Sequence, residues 1–220
     1  MSAPERTWDG TAEGLPEEGA LDGVLLRAEA PPTSEGIAAL AARGATGARL
    51  LVPWQGARRE VHDFHAGEGA FDATVRALTA ARSHGIETWV HTVITRSNAR
   101  VLGELPARLK ARGVRGWIVA WPRVAADDAP AWTARVPRLG LAAPAALAAL
   151  ERARRLGLSA WLHDLPLCVA GPYASRVTTT GARSYGARCE SCAARHRCAG
   201  VDAAYLRRFG EGELRPLKAG

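Results

Sequence analysis

From residue 23 onward, short apolar runs alternate with longer stretches in which apolar residues recur every three or four positions, and most of the long stretches close on a glycine. The short runs read as strands and the 3.6-residue period as helices packed against them. The first unit joins Gly23-Val24-Leu25-Leu26 to a helix starting near Thr33 or Ser34, both good N-caps, and ending at Arg43-Gly44. The second joins residues 48–52 through a polar stretch, 53–69, read as a loop, to a helix over 70–84 stopped by Gly85. Residues 88–94 are the clearest strand, dense in β-branched side chains; Ser97 or Asn98 can cap the helix that follows, and Pro106 kinks that helix or moves its start a turn later. A fourth strand over 116–121 ends at Pro122; a loop over 123–141, a helix over 144–156 and a fifth strand over 159–163 follow.

Repeated strand–helix alternation implies parallel strands with right-handed crossovers. The expected class is α/β, an incomplete TIM-like (β/α) barrel with a small extension. It divides into a flexible N-terminal segment (1–20), a partial barrel (21–165) and a cysteine-rich extension (166–220). In such folds the chemistry lies at the carboxyl ends of the strands. Those ends are Glu29 with Pro31, Trp54 with Gln55, residues 95–98, Trp121 with Pro122, and residues 166–168. Of the seven tryptophans, Trp54, Trp121 and Trp161 are placed to line a pocket, and Trp89 and Trp117 to fill the core.

Composition changes this picture little. A net charge of +7 and a pI near 9.9 raise the question of nucleic acid, but arginines such as Arg108, Arg112, Arg152, Arg154 and Arg155 are spread over helical stretches and form no basic stripe, so nucleic-acid binding is not expected. No window is apolar enough to span a bilayer, and residues 1–22 have no signal-like apolar core, which points to the cytoplasm. A Gly-rich phosphate loop, a Gly-x-Ser-x-Gly elbow and a His-Glu-x-x-His pair are all absent.

The cysteines change it most. All four lie late in the chain: Cys168 after the fifth strand, then Cys189, Cys192 and Cys198 on one short loop. Four soft donors at this density suit zinc or an iron–sulfur cluster, and a reducing compartment counts against disulfides. Spacing leaves the two metals nearly even. Arg188, Arg195 and Arg197 flank the ligands and can offset thiolate charge, and His196 lies among them as a conceivable substitute ligand.

The run His62-Asp63-Phe64-His65-Ala66-Gly67-Glu68-Gly69-Ala70-Phe71, then Val93-Ile94-Thr95-Arg96-Ser97-Asn98, Pro166-Leu167-Cys168, the Cys189, Cys192, Cys198-Ala199-Gly200 loop and Tyr205-Leu206-Arg207-Arg208-Phe209-Gly210 together resemble the radical S-adenosylmethionine (radical SAM) superfamily with a SPASM-like cysteine-rich extension. The resemblance covers about residues 45 to 216 and implies a partial barrel and one [4Fe–4S]-type cluster on Cys168, Cys189, Cys192 and Cys198, with Zn2+ as the competing tenant. The family's Cys-x3-Cys-x2-Cys loop has no counterpart, since no cysteine precedes Cys168, and its Gly-Gly-Glu-Pro motif is echoed only by Ala28-Glu29-Ala30-Pro31-Pro32. That departure counts against independent cleavage of S-adenosylmethionine. It implies a truncated or degenerate member acting as an auxiliary or electron-transfer protein beside a catalytically complete radical SAM protein or a redox partner, or a zinc-stabilised module holding a peptide or small molecule. His62 and Asp63 are the acid–base candidates, with capping as their competing role; Glu29 and Asn98 are the candidate cofactor contacts, and His163-Asp164 could orient Cys168.

Overall fold

The computed structural model describes residues 5–15, 23–44, 47–180 and 184–218. Seven strands form one sheet whose spatial order is their order in the chain, every neighbouring pair parallel: β1 (Glu5–Trp8), β2 (Leu25–Ala28), β3 (Arg49–Pro53), β4 (Glu87–Val93), β5 (Gly116–Ala120), β6 (Ser159–His163) and β7 (Val177–Thr178). The helices are α1 (Ser34–Ala42), α2 (Arg59–Ala66), α3 (Ala70–Ser83), α4 (Leu105–Ala111), α5 (Ala129–Arg135), α6 (Leu139–Arg155) and α7 (Ala203–Phe209). The architecture is the expected incomplete TIM-like barrel.

Period-2 alternation divides each strand between two environments. In β4, Thr88, Val90 and Thr92 are buried beneath the helices, while Glu87, Trp89, His91 and Val93 look into the concave side and are less covered. β6 repeats this, with Ala160 and Leu162 buried and Ser159, Trp161 and His163 on the concave side. The helix-side layer carries the core: Leu26, Leu50, Val52, Val90, Trp117, Val119 and Leu162 are all nearly inaccessible. Burying each such side chain is worth about 1.5–3 kcal/mol, so this layer dominates stability. Trp117 brings its indole N–H inside and donates it to the Thr92 hydroxyl at 2.9 Å. Trp89 departs from the core role expected of it. It lies on the concave face against Gly116, where a Cβ would stand 2.4 Å from the indole ring.

Three stretches differ from the sequence reading. Glu5–Trp8, inside the segment expected to be flexible, form β1, and Trp8 packs fully into the core with its indole donating to the Thr11 carbonyl. Residues 59–66, inside the expected loop, form α2; ion pairs Arg59–Asp72 and Arg58–Glu104 tie it down where apolar periodicity is too weak to announce it. The loop expected over 123–141 contains α5, capped by Asp128 accepting from the Ala131 N–H, and the first turn of α6. The start of α6, five residues before Pro144, has a non-local cause. Its free N–H groups at Leu139 and Gly140 donate to the Tyr205 hydroxyl at 2.7 Å and the Glu213 carboxylate at 3.1 Å, both from the C-terminal extension. Helix ends need such acceptors, and no local sequence signal could show these.

The extension itself is built mostly of short 3-10 turns, with α7 its one α-helix. It docks through Tyr205, fully buried and edge-on to Trp121, and through the Arg138–Glu213 ion pair. Among the described residues, no helix is long and apolar enough to cross a membrane.

Candidate functional site: a four-cysteine cavity beside the barrel mouth

Cys168 lies in a 3-10 turn, Leu167–Val169, that leaves the carboxyl end of β6. The turn between them is set by Asp164, the one non-glycine residue with positive φ (62°) among those described. Its buried carboxylate takes the Arg123 guanidinium at 2.6 Å and the Thr180 N–H at 3.2 Å, which binds together the ends of β5, β6 and β7. Cys189 ends a 3-10 turn, Cys192 follows its exit, and Cys198 closes another turn. The chain reverses at Gly200, whose φ of 80° and closeness to the Ser184 carbonyl exclude a side chain, since a Cβ would lie 2.2 Å from that oxygen.

These turns bring all four thiols to the wall of one cavity of about 20 Å³, together with Tyr185, Arg195, Leu214 and Pro216. Three backbone N–H groups point at three of the sulfurs: Gly200 to Cys198 and Leu217 to Cys192, each at 3.4 Å, and Arg215 to Cys168. Burial pushes the Cys168 thiol pKa up, and the three other thiols push it further in the same direction, while the Arg215 N–H pulls it back. Four thiols this close are mutually unfavourable as bare anions and want positive charge among them. Yet among the described residues no three His, Cys, Asp or Glu side chains converge as a mononuclear ion requires. The void has room for only about one or two waters, and four soft donors, three of them hydrogen-bonded at sulfur, are the donor set of zinc or of an iron–sulfur cluster alike.

Other sequence candidates fall elsewhere. His62 is fully buried, its Nδ1 accepting from the Gln55 N–H at 2.9 Å and its Nε2 facing the Thr74 hydroxyl at 3.1 Å. That pattern places the proton on Nε2. Burial lowers its pKa, so it stays neutral and structural. Asp63 accepts from the N–H groups of Gly69 and Phe71 and so caps α3. Asn98 is buried and fully engaged, donating to the Gln55 and Val93 carbonyls and accepting from the Thr95 N–H. It clamps the ends of β3 and β4 together and does not cap the following turn with its side chain. Glu29 is exposed, at the edge of a recess on the β1–β2 side. His196 is exposed and is not among the residues lining the cysteine cavity.

A second cavity of about 650 Å³ at the mouth of the half-barrel is lined by Gln55, which the strand ends pointed to, by His65 and His163, and by Arg27, His91 and Arg135, whose place there the sequence did not show. Trp121, expected to line a pocket, does so here; Trp54 is instead buried in the core against Phe71. The available signal was strand parity, because Arg27, His91 and His163 all occupy concave-side positions of their strands. Burial, reinforced by Arg27 and His163, pushes His91 down to about 3. His65 meets the Ser97 hydroxyl at 2.7 Å, and burial and Arg135 lower its pKa too. The two cavities share no lining residue, and Thr180 of the extension reaches the mouth.

No protein-family model matches the sequence, and no curated protein matches it. Solved structures do match. The chain is similar to SuiB from Streptococcus suis, in a crystal structure bound to S-adenosylmethionine and in a second crystal structure, with a TM-score of 0.53 and 10% identity in both, over 73% of this chain and 33% of SuiB. It therefore spans about a third of the length of SuiB. A radical S-adenosylmethionine methyltransferase, TsrM from Kitasatospora setae, solved with cobalamin and a [4Fe-4S] cluster, is similar over 44% of this chain and 20% of its own length, at 18% identity and a TM-score of 0.34, too low to bear on the site. The class is thus set at the level of fold: an incomplete TIM-like barrel of parallel strands, shared with part of SuiB.

Proposed function

We propose that this chain is an iron–sulfur protein that holds one [4Fe–4S]-type cluster on Cys168, Cys189, Cys192 and Cys198 and acts as an auxiliary or electron-transfer component for a partner. The observation carrying this reading is the single cavity walled by all four thiols, with backbone N–H groups directed at three of the sulfurs. A cluster bound there supplies one-electron transfer, and with four protein thiolates it keeps no iron open to a substrate. The chain's part is to hold and tune. Cys168 fixes one corner to β6 through the Asp164 turn, and the Arg195 guanidinium at the cavity wall offsets thiolate charge. Tyr185 covers the loop, donating its hydroxyl to the Cys198 carbonyl beneath the Arg195 guanidinium. In this reading any cleavage of S-adenosylmethionine uses a cysteine set other than these four.

The test is metal and sulfide analysis of protein purified without oxygen, beside Cys192→Ala. About four irons and four sulfides per chain, with the charge-transfer absorption of a cluster lost in the variant, are expected. Zinc in place of iron and sulfide would overturn the reading and make the extension a structural clasp.

A further inference from the structure

The mouth cavity plays no part in cluster ligation, and its chemistry points to a ligand of its own. We propose that it binds a small organic anion, an apolar body bearing one carboxylate or phosphate, with the charged end seated on Arg135. Its volume of about 650 Å³ falls within the ~300–1,000 Å³ usual for small-molecule sites.

Three guanidiniums reach this space, and they are not equivalent. Arg27 pairs with Glu5 at 3.2 Å and Arg123 with Asp164 at 2.6 Å. Among the described residues Arg135 has no carboxylate partner. It ends α5 on the cavity wall, near enough to His65 to disfavour that imidazole's protonation. An uncompensated guanidinium in a concave, half-dry space selects a carboxylate or phosphate, which it can hold through two parallel hydrogen bonds.

The wall also carries a buried aromatic: Trp121, 2% exposed, lines the same cavity, with its indole N–H sealed from the void. His91 contributes a neutral ring on the floor, a hydrogen-bonding group without a competing charge. Val93, Pro122 and Val124 supply apolar wall, and Phe64, 76% exposed at the rim, is placed to cover an apolar body.

The probes are phenyl phosphate and benzoate, with benzylamine as the cationic counterpart, titrated calorimetrically into the full chain. Both anions are expected to bind saturably, at least about tenfold tighter than benzylamine, as a guanidinium anchor dictates. Arg135→Gln should weaken them by roughly tenfold, and Arg76→Gln on the outer helix α3 should have no effect. Absence of anion binding at millimolar concentration would overturn the proposal. So would benzylamine binding as well as the anions, or affinity indifferent to Arg135. Because the two cavities have separate walls, the result is read independently of cluster content.

Discussion

The half-barrel and the cysteine-rich extension solve the problem of stability differently. Strands β2 to β6 share one continuous apolar layer, and α6 presents Leu139, Ala142, Ala146, Ala149, Leu150 and Ala153 along a single buried stripe. The extension has short turns, three exposed arginines in its cysteine loop, and few apolar anchors beyond Tyr205, Val201 and Leu214. Its four thiols crowd one another around one small cavity. A packed sheet stores its stability in burial and needs no tenant, whereas a turn-rich loop around four thiols stores its stability in what the thiols bind.

The contrast can be broken in graded ways. Removing the cluster with a chelator under reducing conditions has the largest effect. Amide hydrogen exchange should show protection lost over residues 186–201 and kept over β3 to β6; equal loss in both regions would show that the two are one cooperative unit. Next is Leu162→Ala, which empties part of the fully buried layer of β6 and should cost about 2–5 kcal/mol in urea unfolding while leaving iron content per folded chain unchanged. Tyr205→Phe is milder. It strands the Leu139 N–H and frees Glu213 at the seam between the regions, for a cost of about 1–3 kcal/mol, and should raise exchange at the first turn of α6 before anywhere else. The smallest effect is acid dependence from His91. The folded chain holds this imidazole near 3 against an ordinary 6.5, so below pH 6.5 the unfolded chain takes up a proton that the folded chain refuses. Stability is complete above that pH and falls as the pH drops toward 3, by at most about 1.4 kcal/mol per pH unit. His91→Gln should lessen the slope between pH 7 and 5, where few carboxylates titrate, the remainder coming from His62 and His65, which burial also holds below their ordinary value.

What the sequence revealed follows the same division. Residues 88–94, 116–121 and 159–163 announce strands because their burial on the helix side demands β-branched and aromatic side chains in alternation. The four cysteines stood out because of their spacing, and the structure brings them to one cavity. β1 was hidden because one tryptophan carries its burial, and α2 because His62, Asp63 and His65 give it a polar face. His62, Asp63 and Asn98 drew attention as chemistry-bearing types, but each is consumed by backbone hydrogen bonding. Arg27, His65 and Arg135 went unread as mouth residues because they come from β2, α2 and α5, and only the curl of the sheet brings them to one cavity.

Strand order that equals chain order also dictates a timetable. Each βα unit docks on the one before it, so the sheet can grow from β1 toward β7 as the polypeptide emerges during synthesis, without waiting for a distant partner strand. The thiol pocket is outside that progression. Cys168 takes its place with β6, but the pocket has no other corners until residues 189–198 have been made and Tyr205 has locked onto the start of α6. The pocket is therefore completed last, on a barrel already formed.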